Sequence, residues 1–174
     1  LGLSQALTRP PGTPGVSFSA RLTLFQPWIT FASIFPGGIG MKKAVGIVVA
    51  IAICELAGII GSLFTMPAVP GWYAGLVKPS FNPPSWVFAP VWTTLYAMMG
   101  LAAWLVYAKG WKRPEVRKAL AVFGLQLVLN TLWSIVFFGA HRIFAAVAVI
   151  LLLWAAILWT ILLFRRISRP AAYL

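Results

Sequence analysis

Few side chains in this sequence could do acid–base or nucleophilic chemistry. There are two acidic residues, Glu55 and Glu115, one histidine, His141, and one cysteine, Cys54. Two isolated carboxylates do not make the facing pair that glycoside hydrolysis needs. No HExxH, Gly-rich phosphate loop or Ser/His/Asp set is present. One cysteine permits no internal disulfide and no cysteine-based metal cluster. Cys54 reads as a small core residue and His141 as a solvated turn residue, not a metal or haem ligand. What remains is recognition chemistry. Trp72, Tyr73, Trp86 and Trp92 gather round Pro79, Pro83, Pro84 and Pro90 between Gly71 and Tyr96. That density of rings and prolines suits one wall of a site for a flat, apolar ligand. Trp72, Tyr73 and Trp86 alone would also fit as interfacial anchors. Trp92 lies two turns deeper and shares a helix face with Tyr96.

A second pattern faces it. Gln126, Asn130, Trp133 and Phe137 recur at helical spacing. At 100° per residue they fall within a stripe of ~40°. Amides are costly in an apolar medium unless paired, so the stripe faces other helices. It serves either as hydrogen-bonding glue or as an amide that orients a ligand in an aromatic pocket.

The elements that position these residues follow from composition. The 174 residues are 61% hydrophobic and 9% charged, against roughly 25% charged in a soluble domain. Four apolar runs, Ala44–Thr65, Trp86–Tyr107, Ala119–Phe138 and Ile143–Phe164, each reach the length of about 20 residues that crosses a ~30 Å hydrocarbon core. Backbone in lipid must satisfy itself, so all four read as helices. The class is an all-α membrane protein.

Glu55 is the one charge inside a run. A carboxylate at that depth costs about 2.5–3.5 kcal/mol, so it should face the bundle, with Gln126 and Asn130 as the available polar partners. Ala57, Gly58, Gly61 and Ser62 beside it predict close helix packing. The loop from Met66 to Ser85 holds too many prolines to be helical throughout. Pro83 and Pro84 then open the next helix, with Ser85 as its cap. Gly139 to Arg142 is a four-residue turn.

The net charge of +12 is distributed for a membrane, not for nucleic acid. Lys42, Lys43, Lys109, Lys112, Arg113, Arg117, Lys118, Arg165, Arg166 and Arg169 fall on one side, and only Lys78 and Arg142 on the other. By the positive-inside rule the richer side is cytoplasmic. The chain reads as multi-pass, in a bacterial or archaeal inner membrane or else an organelle membrane. Residues 1–40 differ from the rest, with Pro10, Pro11, Pro14 and no acid. They read as a disordered or non-native extension, or as a transit peptide. Met41-Lys42-Lys43 resembles a natural start.

The stretch WYAGLVKPSFNPPSWVFAPVWTTLY resembles the signature of the translocator protein family (TspO/MBR, tryptophan-rich sensory proteins, peripheral-type benzodiazepine receptors), roughly WYxxLxKPxWxPPxWVFxxxWTxLY. QLVLNTLWSIVFFGAHR is similar to the family's third helix, and the likeness extends loosely over residues 44–174. The resemblance implies a five-helix transmembrane bundle, here residues 41–174 with four of the five helices, usually a homodimer. It implies a receptor or sensor for protoporphyrin IX and related tetrapyrroles, or other small hydrophobic ligands. Transport of tetrapyrroles or lipids, or light-dependent porphyrin degradation, are the alternatives. The latter is the one candidate enzymatic activity. By motif, the implied ligand-binding residues are Tyr73, Pro83, Trp92, Tyr96, Asn130 and Trp133. Phe81 replaces a frequent Trp. The sequence ends at Leu174 where the fifth helix, with its PYLxW and sterol motifs, should begin.

Overall fold

The computed structural model describes residues 40–80 and 82–174. The expectation for residues 1–40 lies outside them apart from Gly40. Helix α1 spans Met41–Ala68 and widens into a π turn at Val69–Tyr73. After the loop, a 3-10 turn at Ser85–Val87 leads into α2, Phe88–Tyr107. Helix α3 spans Pro114–Ser134 and also ends in a π turn, Ile135–Gly139. Helix α4 is Ile143–Ile167, and α5 is a short helix, Arg169–Tyr173. No strand occurs among the described residues. Four of the helices are long and apolar enough to cross a membrane, so the chain is an integral membrane protein.

The spans run past the expected boundaries. Helix α1 does not stop at Thr65 but continues through Pro67. Proline removes one N–H from the ladder, and the chain widens into a π turn just beyond it. Helix α3 starts five residues early because Pro114 fits the first turn, where its missing N–H is no loss. Ser85 does not cap α2. It is the first residue of the 3-10 turn, Pro84 occupies the cap position, and no side chain caps it.

The packing is that of two hairpins. Helix α1 lies mainly against α2 and α3 mainly against α4, while α1 also meets α3. Glycines set the close approaches. A methyl group on Gly100 would lie 2.5 Å from the Ile51 Cα and 2.8 Å from the Ala50 carbonyl oxygen. One on Gly58 would strike the Tyr96 ring, and one on Gly61 would meet Ser134. The Thr131 hydroxyl donates to the Ala57 carbonyl at 3.2 Å, tying α3 to α1. Phe123 and Phe164 stack at 5.8 Å between α3 and α4.

Between 11% and 28% of the most apolar window of each span is buried. Most apolar side chains therefore face outward, as lipid requires, Trp154 and Trp159 on α4 among them. Ser168 is extended after α4, and Pro170 sits in the first turn of α5. Helix α5 packs on α4 and α2 with Ala171 buried. Arg169 thus opens a helical turn that lies back on the bundle.

Candidate functional site

The loop after α1 is braced by its own polar groups. The Tyr73 hydroxyl donates to Asn82 Oδ1 at 3.0 Å. Lys78 Nζ donates to the carbonyls of Tyr73 at 2.6 Å and Ala74 at 3.1 Å. It also lies 4.7 Å from the centre of the Tyr73 ring. A cation at carbonyls left over by a helix end is favourable. Pro83 is exposed, and its carbonyl accepts from the Asn82 side chain at 3.3 Å.

Rings fasten this loop to the second hairpin. Trp72 stacks on His141 at 4.3 Å and 19° and meets Phe137 edge-on at 5.2 Å. Tyr73 meets Phe138 at 5.7 Å. Trp133 stacks on Phe137 at 5.0 Å and 8° and stands perpendicular to Phe138 at 5.8 Å. Aromatic pairs contribute about 0.5–1.5 kcal/mol each beyond burial. The π turn lets both Phe137 and Phe138 reach Trp133, which a regular helix would splay 100° apart. His141, with φ of 55°, turns the chain between α3 and α4 and offers Trp72 a flat face. It is exposed, as expected of a turn residue, but one side of its ring is covered.

Below this layer lies a polar contact. The Tyr96 hydroxyl donates to Asn130 Oδ1 at 3.1 Å, with Tyr96 6% and Asn130 9% exposed. Trp92 sits 6.0 Å from Tyr96, ring centre to ring centre, and is 40% exposed. Gly58 makes room for the Tyr96 ring. One turn before Asn130, Gln126 is 7% exposed and its Oε1 has no hydrogen-bond partner among the described residues.

The six residues expected to bind ligand thus fall into two groups and one outlier. Tyr73 and Trp133 meet through Phe138 in the upper layer. Trp92, Tyr96 and Asn130 form a chain beneath. Pro83 lies on the exposed loop. The expected pairing of Glu55 with Gln126 or Asn130 is not formed. Asn130 is taken by Tyr96, and the side chain of half-buried Glu55 has no hydrogen bond among the described residues. Trp72, Lys78, Asn82, Phe138 and His141 were not expected to act together. Only the Trp72-Tyr73 pair beside a proline-rich loop hinted at it.

Comparison with known proteins places the chain in a family. The TspO/MBR family model matches residues 50–174. The tryptophan-rich protein TspO of Chlorobaculum tepidum is 44% identical over 133 residues, covering 76% of this chain and 84% of that protein. TspO of Archaeoglobus fulgidus is 40% identical over 122 residues, 70% of this chain and 75% of that protein. The human translocator protein is 40% identical over 125 residues, 69% of this chain and 72% of that protein. These matches, over the loop of rings and prolines and the helices that carry it, lead to one conclusion: the chain belongs to the TspO/MBR family.

Proposed function

We propose that this membrane protein is a receptor or sensor that binds a flat, apolar, tetrapyrrole-like ligand such as protoporphyrin IX beneath the α1–α2 loop. The observation that carries the reading is the buried Tyr96–Asn130 hydrogen bond lying next to Trp92. A ligand polar group would enter by replacing the Tyr96 hydroxyl at Asn130. The displaced Tyr96 hydroxyl would then donate to a ligand acceptor such as a carboxylate, so that no buried donor goes unpaired and the net polar cost is small. Trp92 and the ring layer of Trp133 and Tyr73 would supply the flat apolar surface. In the same reading the basic end faces the cytoplasm of a bacterial or archaeal inner membrane.

The test is a titration of protoporphyrin IX into detergent-solubilised protein, followed by tryptophan quenching. Asn130→Ala should weaken binding about tenfold, because the ligand group is left without a partner in an apolar site. Trp92→Phe should weaken it by a few fold, since a ring is retained. Affinities that both variants leave untouched would overturn the assignment of the site.

A further inference from the structure

The basic end carries a second built surface, on residues the ligand reading does not use. Gly110, with φ of 118°, reverses the chain after α2. Trp111 follows it, 52% exposed, its ring 5.8 Å from that of Tyr107. Pro114 then opens α3. Arg117, Lys118 and Ala121 come three, four and seven residues later, so they share one face of the helix. That face is exposed, while Val116, Ala119, Val122 and Phe123 on the other are buried. Trp111, Pro114, Arg117, Lys118 and Ala121 line an open hollow of about 460 Å³.

Its chemistry is divided. Trp111, Pro114 and Ala121 make an apolar half, and Arg117 and Lys118 a cationic half. Arg113, just outside, is neutralised by Glu115 at 2.6 Å. Among the described residues, the side chains of Arg117 and Lys118 make no ion pair or hydrogen bond. They lie at the end of a membrane-spanning helix, beside an exposed tryptophan, which is the level of lipid headgroups. A soluble anion would leave the apolar half unused. A zwitterionic lipid would set its own cation against two more.

We propose that this hollow seats the headgroup of an anionic phospholipid. The phosphate lies against Arg117 and Lys118, and the glycerol and first acyl carbons lie on Trp111 and Ala121. Basic pockets at helix ends are suited to such headgroups, and each cation near the surface is worth about fivefold in affinity. The inference does not depend on the ligand site under the α1–α2 loop.

The experiment is native mass spectrometry of the delipidated full chain in detergent, titrated with phosphatidylglycerol or phosphatidylcholine. The parent should retain one phosphatidylglycerol in preference to phosphatidylcholine. Arg117→Gln/Lys118→Gln should weaken that retention by about twentyfold. Lys109→Gln/Lys112→Gln removes the same charge from the adjoining α2–α3 connection, outside the hollow, and should weaken it less than threefold. Trp111→Leu, which preserves every charge, should weaken it by a few fold, with helical content checked by circular dichroism for each variant. Equal losses in the two double variants would show diffuse attraction and overturn the site. So would equal retention of the two lipids, a Trp111→Leu variant that binds like the parent, or displacement of phosphatidylglycerol by millimolar inorganic phosphate.

Discussion

At one end of the bundle Trp72, Tyr73, Trp133, Phe137, Phe138 and His141 touch one another in a continuous layer. At the other end stand ten basic side chains, of which Arg113 alone has a carboxylate partner among the described residues. The connections explain the contrast. Between Tyr73 and Ser85 the described residues are non-helical and must be held in place by their own contacts. Rings do this without depending on water. The α2–α3 connection is a tight turn at Gly110, closed by hydrogen bonds such as Gly110 N–H to the Tyr107 carbonyl at 3.0 Å. Its backbone closes the turn, and Arg113 apart, its cations are left to meet whatever lies at the membrane surface. The aromatic end is built inward, toward its own loop, and the basic end outward.

The strongest way to break this contrast is to disturb what both ends share. Gly100→Leu places a branched side chain where a single methyl already strikes the backbone of Ile51. Overpacking costs about 1–3 kcal/mol even where side chains can give way, and here the obstacle is main chain. The expected result is loss of the monodisperse peak in size-exclusion chromatography, with both ends released together. A variant as monodisperse as the parent would mean that the α1–α2 crossing is not tight.

Trp72→Ala tests the aromatic end alone. It removes the stack on His141 and the edge contact with Phe137, about 1–3 kcal/mol for two ring pairs. Hydrogen exchange should rise in residues 70–84 and stay unchanged in residues 108–113. Exchange rising equally at both ends would show that the two ends are coupled.

Arg113→Gln gives the smallest effect. Both partners of its ion pair are about half exposed, and exposed pairs contribute little. The thermal midpoint should match the parent at low and high salt. A clear drop at low salt would mean that the basic end, too, is held by internal contacts.

Much of this was legible beforehand. A charged group is costly in lipid, so the four spans, their order and the sided distribution of Lys and Arg follow from composition over windows of about 20 residues. The amide stripe on α3 also followed, because its period is local. The elements that were missed depend on neighbours. The continuation of α1 through Pro67 runs against the local preference of proline, and Ser85 failed as a cap because the preceding Pro84 already held that place. Glu55 was assigned Gln126 or Asn130 by elimination, yet Tyr96 from α2 occupies Asn130. Spacing along one helix does not say which neighbour's side chain arrives first.

The boundary between the two kinds of knowledge is physical. Hydrophobic length, charge sidedness and helical period are sums over contiguous residues, and they settled that this chain is a helical membrane bundle with a ring-rich loop at its less basic end. The signature of that loop marked its family likeness as well. Partnership is a property of residues far apart in the chain. Only the packed helices determined that Tyr96 meets Asn130 across a separation of 34 positions, that Trp72 lies on His141, and that Trp111 shares a hollow with Arg117 and Lys118.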